Sequence, residues 1–234
     1  MINGMRLVAL AGLGLLAACQ HPFDDPLAAN SIYGGLAPMP DYQGPLPRVL
    51  WSASDTPAKQ GLLYTAMIDG EVASQYAGRA LAAQDATVTR GALGEVVYAI
   101  EPGDAPDWDA KSAGIVRGWA GTGYGLRRAA ADMAGEIREA TEDEPVGALA
   151  EDGPAAALCA DNTVERADRL LALSRDALDA AAIQSQPLLR QIQDLADQIN
   201  QGAGGGAADA AAADPECGLQ QAERYLERLA PRPG

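Results

Sequence analysis

Apolar residues recur at intervals of three and four along most of this chain, and polar or glycine-rich breaks divide the stripes into six segments. Leu62, Leu63, Ala66, Met67, Ala73, Tyr76, Ala77, Ala80 and Leu81 fall on one face and predict a helix over about 57–83. Asp55 or Thr56 can cap it, and Pro57 suits its first turn. Leu93, Val96, Val97 and Ile100 predict a second helix over 86–100, capped by Asp85 and ended by Pro102-Gly103. A long loop over 101–123 precedes a third helix over 124–141, with Leu126, Ala130, Met133 and Ile137 inward. Residues 142–158, acidic and containing Pro and Gly, read as a linker. Asn162 with Glu165 three residues on has the form of a capping box, opening a fourth helix that runs to about Gln184. Pro187 breaks or kinks it, and a fifth helix follows over 187–200. A Gly/Ala stretch from Gly202 to Asp214 leads to a sixth helix from Pro215.

The expected fold is therefore all-α, a helical bundle of two similar three-helix halves, 49–141 and 159–234. Each half runs from a long helix through a polar turn to a shorter helix, then a loop and a Gly-Leu pair. Leu93, Val96 and Ile100 match Ile192, Leu195 and Ile199 in spacing, and Gly125-Leu126-Arg127-Arg128-Ala129 aligns with Gly218-Leu219-Gln220-Gln221-Ala222. Duplication of a three-helix unit explains the match; chance likeness between amphipathic trios is the alternative.

The amino terminus has a different pattern. Arg6 is its only charge, and an apolar run from Leu7 to Leu16 is too short to span a bilayer but has the length of a signal-peptide core. The run stops at Leu16-Ala17-Ala18-Cys19, and polar residues with Pro22 and Pro26 follow. Leu16-Ala17-Ala18-Cys19 resembles the lipobox of bacterial lipoproteins. That resemblance implies cleavage of residues 1–18 and acylation of the Cys19 thiol. It also implies a chain fixed to a membrane through lipid, and Gln20 rather than Asp after the cysteine implies the outer membrane. Residues 19–48, rich in Pro and Gly, read as a flexible lipidated tether.

Composition sharpens this picture. The full chain has 234 residues and a net charge of −15, and losing Arg6 makes it more negative. Such a surface repels nucleic acid, which is excluded as a partner. Strong helix formers dominate the second half. Beyond Cys19 only Cys159 and Cys217 remain. An even pair in an oxidising compartment reads by default as a disulfide, with two free thiols as the alternative. Pairing them demands that the helices around Gln184–Pro187 fold back as a hairpin, since a straight helix over 162–200 would be roughly 60 Å long.

Histidine narrows the chemistry. His21, in the tether, is the sole one, which removes serine–histidine and cysteine–histidine catalysis and imidazole metal sites. Three weaker candidates remain. Asp104, Asp107 and Asp109 can offer oxygen ligands to calcium, although their spacing lacks the central Gly and distal Glu of an EF-hand, and a solvated acidic loop is the ordinary alternative. Gly123 and Gly125 at a helix start, with Arg127 and Arg128, can hold an anion; glycines shaping a tight turn are the alternative. Asp69, Glu71 and Glu95 are carboxylates within apolar stretches that could act as an acid/base pair if inward. Trp51, Trp108 and Trp119 either cap the bundle or line a groove with Tyr124. The expected function is non-catalytic and without a cofactor: an outer-membrane lipoprotein facing the periplasm. It would bind an envelope protein or small ligand, with ion binding by the loops, or a carboxylate-only enzyme, as alternatives.

Overall fold

The computed structural model describes residues 46–57, 59–104, 121–143, 145, 147–180, 185–203 and 216–229. They contain seven α-helices: α1 (Pro47–Leu50), α2 (Leu62–Ala82), α3 (Ala86–Ile100), α4 (Leu126–Asp143), α5 (Gly147–Asp179), α6 (Gln186–Gln201) and α7 (Leu219–Glu227). A 3-10 turn, Pro102–Asp104, follows α3. The described residues are all-α, belong to a single unit, Pro38–Gly234, and none of their helices is long and apolar enough to cross a membrane. The leader, Cys19 and most of the tether lie outside them.

The folded body begins before residue 49. Leu46, at the end of the expected tether, is buried together with Val49 and Leu50, and Pro47 and Arg48 already belong to α1. The start of α2 also departs from expectation. Residues 53–60 form a tight loop: the Thr56 hydroxyl reaches the carbonyls of Ala53 and Gln60, and Lys59 takes a positive φ of 55°. A helix cannot accommodate that backbone, so α2 starts only after Gly61. A side chain at Gly61 would meet the Val49 carbonyl at 2.5 Å, so only glycine lets the chain pass over α1.

Helix α2 is the central element. From Leu62 to Gly70 every residue except Ile68 is buried, because α1, α3, α4, α6 and α7 all pack on it. Asp85 caps α3 as expected, accepting hydrogen bonds from the amides of Thr87 and Val88. Helix α4 buries Leu126, Ala129, Ala130, Met133, Ala134 and Ile137, a stripe at helical spacing. Helix α6 does the same with Leu189, Ile192, Leu195, Ala196 and Ile199.

The acidic linker expected over 142–158 is instead mostly helix. Helix α4 continues to Asp143, and α5 starts at Gly147 and runs for 33 residues. Leu149, Ala155, Ala156, Ala157, Cys159 and Ala160 are buried, so alanines supply an apolar face that acidic and Pro/Gly composition obscured. Pro154 sits inside the helix on its exposed side, where loss of one backbone hydrogen bond is tolerated through solvent. Gly153 lies under Thr141, and the missing side chain lets α4 and α5 cross closely. Asn162 lies within α5 and therefore caps nothing; its amide instead faces Cys217.

Helix α5 packs on α3, α4, α6 and α7, and α6 also packs on α2. The first three and last three long helices thus interleave around one core. Among the described residues the two expected halves form one body.

Candidate functional site

The segment leading into α4 is where the flagged residues converge. Asp69 lies on the buried part of α2 and is 0 % exposed. One carboxylate oxygen accepts the Thr122 amide at 2.6 Å; the other accepts the Thr122 hydroxyl at 2.7 Å and the Gly125 amide at 3.2 Å. The Thr122 hydroxyl oxygen in turn accepts the Tyr124 amide. Gly121, Gly123 and Gly125 all have positive φ. A side chain on Gly121 would strike Asp69 Oδ1, and one on Gly125 would strike Pro102 and the Ile100 carbonyl. Burial pushes the Asp69 carboxyl up to about 6, and the three hydrogen bonds from Thr122 and Gly125 oppose that shift.

A second joint mirrors the first with opposite charge. Arg166 on α5, only 8 % exposed, donates to the carbonyls of Cys217 at 2.6 Å, Glu216 at 2.8 Å and Gln198 at 3.3 Å. Cys159 and Cys217 form a buried disulfide beside it, joining α5 to the approach to α7. Gly218 packs so tightly on the carbonyls of Ile199 and Gln198 and on the Gly202 amide that no side chain fits there.

The third cluster is polar and lies near the surface. The Tyr124 hydroxyl donates to Asp132 at 2.6 Å and lies 2.8 Å from Asp55. Arg48 bonds Glu136 at 2.6 Å and Asp55 at 2.8 Å, tying α1 to α4. The Arg128 guanidinium stacks over the Tyr124 ring, 4.3 Å from its centre. Burial and the two flanking carboxylates raise the Tyr124 phenol. The Tyr124 hydrogen bond is the largest of the influences that hold Asp55 below the usual carboxylate range.

No family model, no curated protein and no solved structure matches this chain.

The expected anion site is assembled, but the protein fills it. The Gly125 amide is taken by Asp69. Arg127 bonds Asp168 at 2.5 Å and lies 3.6 Å from Glu101. Arg128 lies 3.9 Å from both Asp55 and Asp132. Gly123 is exposed beside the Tyr98 hydroxyl. Gly123, Gly125, Arg127 and Arg128 thus do not converge on one external anion. Asp107 and Asp109, with Trp108 and Trp119, lie outside the described residues, as does the side chain of Asp104. Among the described residues no group of three or more His, Cys, Asp or Glu is arranged to hold a metal. Asp69 and Glu71 do not share a face: Asp69 is enclosed, while Glu71 is half-buried and accepts from Gln75. An acid sealed behind three of the protein's own donors cannot reach a substrate.

Spacing alone singled out neither Arg166 nor Asn200. Arg166 lies three residues after Thr163 and four before Leu170, which places it on the inward face of α5. Asn200 continues the Ile192–Ala196 stripe and donates to the Gly70 carbonyl, so it joins α6 to α2. An open groove of about 350 Å³ between α4 and α5, lined by Gly153, Pro154, Ala157 and Leu158, is bordered by the Arg138–Asp161 ion pair.

Proposed function

We propose that this protein is a lipid-anchored outer-membrane lipoprotein facing the periplasm, whose helical body is a non-catalytic binding or scaffold module for another envelope component. The observation that carries this reading is the buried Cys159–Cys217 disulfide. Such a pair fits an oxidising compartment, to which the export leader and Cys19 would also deliver the chain. The interleaved core adds support, since a body tied together at both joints suits a rigid support better than a flexible one.

Labelling with a fatty-acid probe in a bacterial host tests the address. The chain should incorporate label, lose its leader and fractionate with outer membrane; Cys19→Ser and inhibition of signal peptidase II should each abolish labelling. An unmodified Cys19 thiol in the intact mass sinks the reading. Crosslinking in detergent-solubilised envelope should then recover one reproducible partner.

We also propose that the body arose by duplication of a three-helix unit. In each half the first long helix touches both others. In each half a Gly-Leu pair, Gly125-Leu126 or Gly218-Leu219, settles on the carbonyl of a matched isoleucine, Ile100 or Ile199. Close homologues with more similar halves would strengthen the proposal; homologues in which the Gly-Leu match vanishes would end it.

A further inference from the structure

Asp69 combines three properties seldom found together. Its side chain is fully enclosed, no guanidinium or ammonium of the described residues pairs with it, and its three donors among those residues come from one short segment, Thr122–Gly125. That segment has two glycines at positive φ, Gly123 and Gly125, and a third, Gly121, precedes it, so its path is set by what holds it rather than by its own preferences. We propose that the approach to α4 is a pH-responsive latch, in which ionised Asp69 clamps Thr122–Gly125 to α2 and proton uptake on mild acidification loosens the clamp at Gly125.

The asymmetry of the hydrogen bonds gives the latch its direction. Oδ1 accepts only the Thr122 amide. Oδ2 accepts both the Thr122 hydroxyl and the Gly125 amide, and the latter is the longest of the three bonds. A proton added at Oδ2 can be donated to the Thr122 hydroxyl oxygen, whose own hydrogen then turns away. The Thr122 amide keeps its acceptor, while the Gly125 amide faces a protonated oxygen and loses most of its bond.

Among the described residues, the elements packed on α2 also carry Tyr98, Glu95 and Glu101 on or beside α3, Tyr124, Arg127 and Arg128 at the start of α4, Arg48 on α1, Asp197 on α6, and Glu223 and Tyr225 on α7. Burial and the three donors set the acidity of Asp69. The switching range therefore belongs to this joint and lies near pH 6, well above that of exposed carboxylates at about 4.

An amide NMR titration of the full chain between pH 4 and 8 tests the latch. The Thr122 and Gly125 signals should move together with one midpoint near 6, and Gly125 should also lose protection from exchange, corrected for intrinsic rates. Asp69→Asn should abolish the transition. Thr122→Val, at a half-exposed site, removes one bond to the ionised form and should raise the midpoint; Thr122→Ser should leave it in place. A Gly125 signal that stays fixed between pH 5 and 7, or a transition that persists in Asp69→Asn, overturns the latch. Should Asp69→Asn not fold, an unmoved midpoint in Thr122→Val overturns it equally.

Discussion

The joints at α4 and α7 solve one problem with opposite charges. In both, a glycine lies against the carbonyl end of a preceding helix, Gly125 on Ile100 and Gly218 on Ile199, and a side chain from a long helix fastens the approach. At α4 the groups to be fastened are amide N–H donors, so the side chain is an acid. At α7 they are carbonyl acceptors, so it is an arginine, and a disulfide adds a covalent tie. The difference teaches that the exposed polarity of a backbone segment selects the charge buried beneath it. It also makes the joints sensitive to different conditions, proton concentration in one and thiol reductant in the other.

The largest expected effect comes from the covalent tie. Replacing Cys159 and Cys217 together with alanine should cost about 4 kcal/mol by the loop-entropy model, read as a lower urea midpoint. The mutant should then be insensitive to dithiothreitol, while the native chain moves to the mutant's midpoint once reduced. Arg166→Met should follow, at roughly 3 kcal/mol, because three carbonyls lose a charged donor in a buried setting. It should loosen α7 while leaving the Thr122 and Gly125 amide signals unmoved.

Loosening at Gly125 in acid does not weaken the fold as a whole, because relief of the buried charge outweighs the lost amide bond. Global stability should therefore respond to this carboxyl in the opposite sense from ordinary carboxylates. The folded chain holds the Asp69 proton more tightly than the unfolded chain. Its contribution is therefore fully present below about 4 and is lost as pH rises through about 6, a span worth roughly 3 kcal/mol. Urea melts at pH 4.5 and 7.0 should show about 2 kcal/mol of it relative to Asp69→Asn; an equal change in the two proteins would count against a buried, raised carboxyl. Gly125→Ala should cost about 2 kcal/mol from its positive φ and its clash with Ile100 and Pro102. Gly218→Ala should cost a similar amount at the other joint. The smallest change is expected from Asp85→Ala, which frees the amides of Thr87 and Val88 at an exposed helix start. It should appear as faster exchange of those two amides with little shift in Tm.

Much of this architecture was legible as residue spacing. The stripes on α3, α4 and α6 are strong and end at clear caps, so those helices fall within about two residues of expectation. The disulfide followed from cysteine parity and from the oxidising compartment that the leader implies, and the fold-back it demanded is met by α6 packing on α5. The beginning of α5 was illegible because Asp152, Gly153 and Pro154 signal a break locally, while burial of Ala156, Cys159 and Ala160 against α4 outweighs that signal. The glycines before α4 were read for the right chemistry, amides aimed at an anion, but no local pattern could place Asp69 there. The two segments lie 53 residues apart, and only the packed core brings them together. Arg166 was hidden for the same reason: its partners, Gln198, Glu216 and Cys217, all lie downstream of the hairpin.

The clasp between Arg48 and Glu136 has a mechanical consequence. Arg48 sits on α1 and grips α4, while Val49 and Leu50 are wedged under the start of α2. Any load arriving from the amino-terminal side is therefore shared at once between two helices, and the body must be sheared rather than unzipped from its end. In a pulling experiment from the amino terminus, Arg48→Ala should lower the first rupture force and let α1 peel away before the rest yields.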